Sequence, residues 1–64
     1  MRKVIRFADG HGVAEVRGRR AVVRLDGRYL GTATKCAGGR WAVPGSASLF
    51  PSPADAADAL SDAA

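Results

Sequence analysis

The first forty residues alternate between apolar and polar positions with a period of two, which is the pattern of β-strands. Near the start of the chain, Ile5 and Phe7 fall on one face, and Val4 and Arg6 fall on the other. A glycine-rich turn follows at residues 9–12. The pattern therefore predicts a first strand that enters a β-hairpin.

Further alternating segments predict strands over 13–17, 21–25, 28–35 and 40–43. Asp26-Gly27 lies between the segments 21–25 and 28–35, the third and fourth predicted strands, and is a typical two-residue hairpin turn. Gly18-Arg19-Arg20 fits either a turn or a bulge, so residues 13–25 could form two strands or one bulged strand.

Alternation along the fourth strand assigns its side chains to two faces. Tyr29, Gly31 and Ala33 are predicted on one face, and Leu30, Thr32 and Thr34 on the other. The last strand is predicted to stop at Pro44, which cannot donate a hydrogen bond to a neighbouring strand.

The end of the chain has the features of one α-helix over residues 53–63. Ser52 is suited to the N-cap and Pro53 to the first helical position, and alanine favours helix throughout. The apolar stripe of this helix is predicted to be Ala56, Ala57, Leu60, Ala63 and Ala64. The opposite side carries Asp55, Asp58 and Asp62.

Together these elements predict a small α+β fold. An antiparallel β-meander of four to five strands occupies residues 1–43, a loop occupies 44–52, and one C-terminal helix packs on one face of the sheet. Leu49 and Phe50 are apolar for a loop, so we expect them to fold back onto the core.

The length of 64 residues implies one domain with a thin core. Domains of this size are stabilised by disulfides, metals or association. The single Cys36 cannot form an internal disulfide, and with the single His11 it cannot build a tetrahedral zinc site. Self-association into a homo-oligomer is the remaining expectation.

Charge divides the chain into two parts. All ten lysines and arginines lie in residues 2–40, and residues 1–51 carry a net +7, whereas the last thirteen residues carry −3. A basic body indicates either a polyanionic partner or a surface kept soluble by charge. Both interpretations stay open at this point.

Catalytic chemistry has little support in the sequence. Asp9 and His11 share a turn without a nucleophile nearby, and Cys36 is more typical of a packing residue. We therefore expect no enzyme activity and no cofactor. The chain has no apolar run of about 20 residues, so we expect no membrane insertion, and the unpaired cysteine favours the cytoplasm.

Binding is better supported, because basic and hydroxyl side chains recur along the predicted strands. The candidate nucleic-acid-binding residues are Arg17, Arg19, Arg20, Arg24, Arg28, Thr32, Thr34 and Arg40. Arginine and threonine on a β-ribbon suit contacts with phosphates and with base edges in a groove. Trp41 could stack on a base, but a core position beneath the helix is the favoured interpretation.

Two segments, Gly39-Arg40-Trp41 and Phe50-Pro51-Ser52-Pro53-Ala54-Asp55-Ala56-Ala57, carry a family resemblance. With the order of strands, they make residues 20–62 similar to the AP2-like, arm-type DNA-binding module at the N-termini of phage integrases. The resemblance implies a three-stranded sheet that packs on a C-terminal helix and enters the major groove of duplex DNA. It would make Arg24, Arg28, Thr32, Thr34 and Arg40 the groove-facing residues.

The chain departs from this family in its additional N-terminal hairpin over residues 2–17 and in its acidic helix. A second hypothesis is therefore kept open, in which the chain is a protein-interaction module, such as a small phage-like inhibitor or adaptor. It would add a strand to a partner's sheet or dock a patch that includes Leu49 and Phe50.

Overall fold

The computed structural model describes residues 2–63; Met1 and Ala64, the latter predicted in the apolar stripe of the helix, lie outside the described residues. The strands are β1 (Arg2–Phe7), β2 (Gly12–Arg17), β3 (Arg20–Leu25), β4 (Arg28–Lys35), β5 (Trp41–Ala42) and β6 (Leu49–Phe50). Helix α1 spans Pro53–Ala63, the range that the sequence predicts.

The strands form one antiparallel meander in the order β1-β2-β3-β4-β5-β6. The predicted α+β class, an antiparallel sheet with one C-terminal helix, is confirmed. The sheet has six strands where four or five were predicted, because Leu49 and Phe50 also pair with Ala42 and Trp41. The segment expected as loop over 44–52 thus contains the short edge strand β6.

Two tight turns resolve the path of the chain from β2 to β4. Asp26 and Gly27 both adopt positive φ angles, 51° and 79°, which is the conformation of a type I′ hairpin turn and confirms the predicted hairpin. Gly18 also has a positive φ, and Arg17 pairs with Arg20 across it. Residues 13–25 therefore belong to two strands, not to one bulged strand.

One face of the sheet packs on α1, which contacts all six strands, so the sheet curls around the helix. Alanines meet at this interface: Ala14, Ala21 and Ala33 of the sheet and Ala56 and Ala57 of the helix are fully buried. Small side chains let a helix approach a sheet closely, and larger buried residues complete the core. These are Phe7, Val23, Trp41, Val43 and Leu60.

Two glycines make room for core side chains. Gly12 lies directly opposite Phe7, and a Cβ atom at Gly12 would overlap the Phe7 ring. Gly31 lies under Leu60, and a Cβ atom there would come within 3.1 Å of the leucine side chain. A side chain at position 12 would therefore collide with the Phe7 ring, and one at position 31 would crowd Leu60 of the helix.

A β-bulge in β4 overturns part of the predicted alternation. Val23 pairs with Gly31 and Arg24 with Tyr29, which leaves Leu30 as an extra residue without a partner in β3. As a result, Leu30 packs against the core and Tyr29 lies on the opposite face, the reverse of the prediction.

The residues around the helix are held by packing against the sheet, and the helix begins at a side-chain cap. Trp41 is only 5% exposed, which confirms its predicted place in the core. The Ser52 hydroxyl accepts a hydrogen bond from the Asp55 amide at 3.2 Å, as expected of an N-cap.

Within the described residues, no helix is long and apolar enough to cross a membrane.

Candidate functional site

The face of the sheet turned away from α1, here called the open face, holds the candidate site. Its side chains form three cross-strand rows, because directly opposite residues point to the same side of a sheet. The rows are Arg2, Arg17, Arg20 and Thr34; Val4, Glu15, Val22 and Thr32; and Arg6, Val13, Arg24 and Tyr29.

Positive charge dominates this face, with five arginines and one carboxylate. Arg17 Nε lies 3.0 Å from Glu15 Oε1, and Arg2 Nη1 lies 3.8 Å from Glu15 Oε2. Within residues 2–63, the other three arginines of the open face form no ion pair. Those three are Arg6, Arg20 and Arg24. They are exposed, so they are available to an anionic partner.

A shallow cavity of about 260 Å³ interrupts the open face at β2 and β3. Its lining includes the half-buried Val13 and Val22, the carboxylate of Glu15 and the guanidinium of Arg24, with His11 and Gly27 at one end. This volume is below the usual range for small-molecule pockets, about 300–1,000 Å³. It suits a single protruding group more than a whole ligand.

Tyr29 is the aromatic residue that the bulge brings to this face. The residue is 58% exposed, and its hydroxyl lies 2.8 Å from Thr32 Oγ1. It is directly opposite Arg24. The pair therefore places one aromatic ring beside one guanidinium without an ion-pair partner, at the end of β3 and the start of β4.

The structure brings five of the eight predicted binding residues together on the open face, namely Arg17, Arg20, Arg24, Thr32 and Thr34. Arg19 lies in the turn between β2 and β3, where its carbonyl accepts a hydrogen bond from the Lys35 amide at 2.7 Å. Arg40 is exposed and immediately precedes β5, outside the strands.

Arg28 lies away from the others, and the expectation that it shares their surface was wrong. It pairs with Leu25, whose side chain packs against the core, and it lines a separate cavity with Leu25, Asp26 and Leu30. The bulge is the cause, because the extra residue in β4 shifts the alternation of the residues before it.

Sequence reasoning missed three members of this face: Arg2, Arg6 and Tyr29. Alternation in β1 already placed Arg6 opposite Ile5 and Phe7, so the signal for the two arginines was present. The signal for Tyr29 was weaker. A glycine inside a strand often marks a bulge, and Gly31 lies two residues after Tyr29.

In the turns near the cavity, the polar partner of His11 is Asp26, whereas the sequence suggested Asp9. His11 Nδ1 lies 3.2 Å from Asp26 Oδ1, and the Asp26 amide donates to the His11 carbonyl at 2.8 Å. Both side chains are largely exposed. These bonds connect the β1–β2 and β3–β4 turns. Among residues 2–63, no three His, Cys, Asp or Glu side chains cluster closely enough to hold a metal ion.

Comparison with protein-family models, curated proteins and solved structures finds no match to this chain.

Proposed function

We propose that the protein binds duplex DNA through the open face of its sheet. The observation that carries this proposal is the gathering of Arg2, Arg6, Arg17, Arg20 and Arg24 on one face, opposite the acidic helix. Arginines supply phosphate contacts, and each contact releases counterions from the DNA. The helix, with its three aspartates, is directed away from that surface and does not oppose the approach of a polyanion.

A duplex partner is favoured over a single strand by the scarcity of exposed aromatic rings. Proteins that bind single strands stack bases on aromatic side chains, each stack contributing about 1–3 kcal/mol. Here Trp41 and Phe7 are buried in the core, and Phe50 packs against it. Tyr29 alone among the described aromatic residues is largely exposed. Arginine and threonine contacts to a backbone and groove therefore dominate the chemistry of the face.

The width of the arginine-bearing strip is also compatible with a groove. Neighbouring strands lie about 4.8 Å apart, so the axes of β1, β2 and β3, which carry the five arginines, span about 10 Å. The major groove of B-form DNA is about 12 Å wide and admits β-strands. The curl of the sheet around α1 makes the open face its outer side, which is the shape that an insertion requires.

Fluorescence anisotropy with a labelled duplex tests the proposal at a series of salt concentrations. We expect log K to fall with log salt with a slope of about −3 to −5, since each neutralised phosphate contributes about −0.9. The double variant Arg20→Glu/Arg24→Glu should abolish binding. No binding at low salt, or equal binding by this variant, would contradict the proposal.

A protein partner is the second candidate, and the exposed edge of β1 is the observation that favours it. β1 pairs only with β2, so the outer backbone groups of this six-residue strand have no partner strand within the described sheet. Its cations, Arg2, Lys3 and Arg6, would repel a second antiparallel copy but suit an acidic extended segment.

Two variants separate the candidates, because DNA binding would depend on the open face and protein binding on the outer edge of β1. Replacement of Val4 by proline would remove an outward-facing backbone donor of the edge strand, whereas Arg20→Glu/Arg24→Glu leaves the edge intact. Light scattering after size exclusion, with and without duplex DNA, would show which partner forms a complex. A homodimer that buries the open face and excludes DNA would favour protein association.

A further inference from the structure

Glu15 is the one acidic side chain among the described residues of the open face, and it occupies the middle row, between Val4 and Val22. A carboxylate at this place repels a phosphate backbone and weakens nonspecific binding. Its ion pairs with Arg2 and Arg17 do not account for it, because exposed pairs contribute only about 0–1 kcal/mol to stability. Its position indicates a further role.

The oxygens of Glu15 retain capacity to accept hydrogen bonds. Oε1 contacts Arg17 Nε at 3.0 Å, while the 3.8 Å between Oε2 and Arg2 Nη1 is too long for a hydrogen bond. An ionised carboxylate offers about four lone-pair sites. Glu15 also lines the cavity of the open face, so an acceptor is available to a group that enters it.

Arg24 lines the same cavity and supplies the complementary donors. In the major groove, a C·G base pair presents the N4 amino donor of cytosine beside the O6 and N7 acceptors of guanine. The carboxylate of Glu15 and the guanidinium of Arg24, which line one cavity, would supply an acceptor for the amino group and N–H donors for the guanine acceptors. The apolar surfaces of Val13 and Val22 would border the pyrimidine edge.

We propose that Glu15 and Arg24 recognise one C·G pair in the major groove, an inference that rests on the proposed function. Glu15 accepts a hydrogen bond from cytosine N4, and Arg24 donates two to guanine. Glu15 is then a specificity-determining residue that lowers affinity for unrelated sequences while it selects one base pair. The small volume of the cavity fits this role, since one base edge must enter and a whole ligand need not.

Selection of bound duplexes from a random library by the full-length protein tests the inference. The wild-type protein should enrich cytosine at one position, with about tenfold or greater discrimination against a mismatched pair there. Glu15→Gln should move the preference at that position toward adenine, because an amide pairs with adenine N6 and N7. Glu15→Ala should weaken the preference, since Arg24 still donates to guanine, and should strengthen binding to unrelated sequence.

Asp58→Asn is the matched control for Glu15→Gln, since it neutralises one exposed carboxylate on α1, away from the open face. It should change overall affinity through charge alone and leave the selected sequence unaltered. An unchanged base preference in Glu15→Gln, or equal binding of all sequences by the wild type, would overturn the inference while leaving DNA binding intact. Absence of all duplex binding would instead overturn the proposed function, and the inference with it.

Discussion

The two faces of this sheet are built from alternate residues of the same strands, yet they differ in size, polarity and charge. On β3, Ala21 and Val23 are fully buried under α1, while Arg20 and Arg24 extend from the other side into solvent. The helix side uses the smallest residues so that α1 can approach. The open side carries five arginines among valines and threonines. Stability should therefore depend on one face and binding on the other, and substitutions should separate the two properties.

Removal of the largest core side chain should have the greatest effect on stability. Trp41→Ala leaves a cavity and should cost about 3–5 kcal/mol. A domain of this size has a total unfolding free energy of about 3–10 kcal/mol, at 0.05–0.15 kcal/mol per residue. We therefore expect the variant to be largely unfolded, as measured by far-UV circular dichroism and urea denaturation.

Tyr29→Ala is the control on the opposite face. Tyr29 is 58% exposed, so its replacement should change the unfolding free energy by about 0.5 kcal/mol or less. Comparable losses in the two variants would show that both faces support the fold, and the division between them would be rejected.

A methyl group added beneath Phe7 should have the next largest effect. Gly12→Ala places a Cβ atom where the Phe7 ring lies, so the ring must move, at a cost of about 1–3 kcal/mol. Urea denaturation would give this value. In a Phe7→Leu background the overlapping ring is absent, so the cost of Gly12→Ala should fall by at least about 0.5 kcal/mol. Additive costs would show that the ring is not the obstacle.

Much of the sheet face that packs on α1 could be predicted from the sequence. The period-two pattern placed Ile5 and Phe7 on one face of the sheet, and the cap and alanines of α1 gave its range. The bulge at Leu30 could not be derived from alternation, because one extra residue moves each earlier residue of the strand to the opposite face. Tyr29 and Arg28 were misplaced for this reason.

The limits of sequence reasoning were similar at β6 and at the candidate site. Leu49 and Phe50 have too few residues to show a strand pattern, and their pairing with β5 depends on contacts that form only in the folded chain. The cavity of the open face depends in the same way on cross-strand neighbours, such as Glu15 and Val22, that local patterns do not bring together.

The misplaced arginine provides a matched pair for the open face. Arg24→Ala and Arg28→Ala remove the same side chain at the two ends of one hairpin turn, but Arg24 lies on the open face and Arg28 on the helix side. We expect Arg24→Ala to weaken duplex binding about fivefold or more and to reduce the salt slope by about 1. Arg28→Ala should change binding only slightly in the same anisotropy titration. Equal losses would mean that DNA is contacted by net charge without regard to the face.

The smallest expected effect concerns the stability contribution of the open face itself. Arg17 contacts Glu15 at 3.0 Å, but its side chain is 67% exposed, so solvent screens the pair. Arg17→Ala should therefore change the unfolding free energy by no more than about 0.5 kcal/mol in urea denaturation. A loss above about 1 kcal/mol would show that the arginines hold the sheet together. In that case their gathering on one face would be explained by folding, and the strongest support for a DNA interface would disappear.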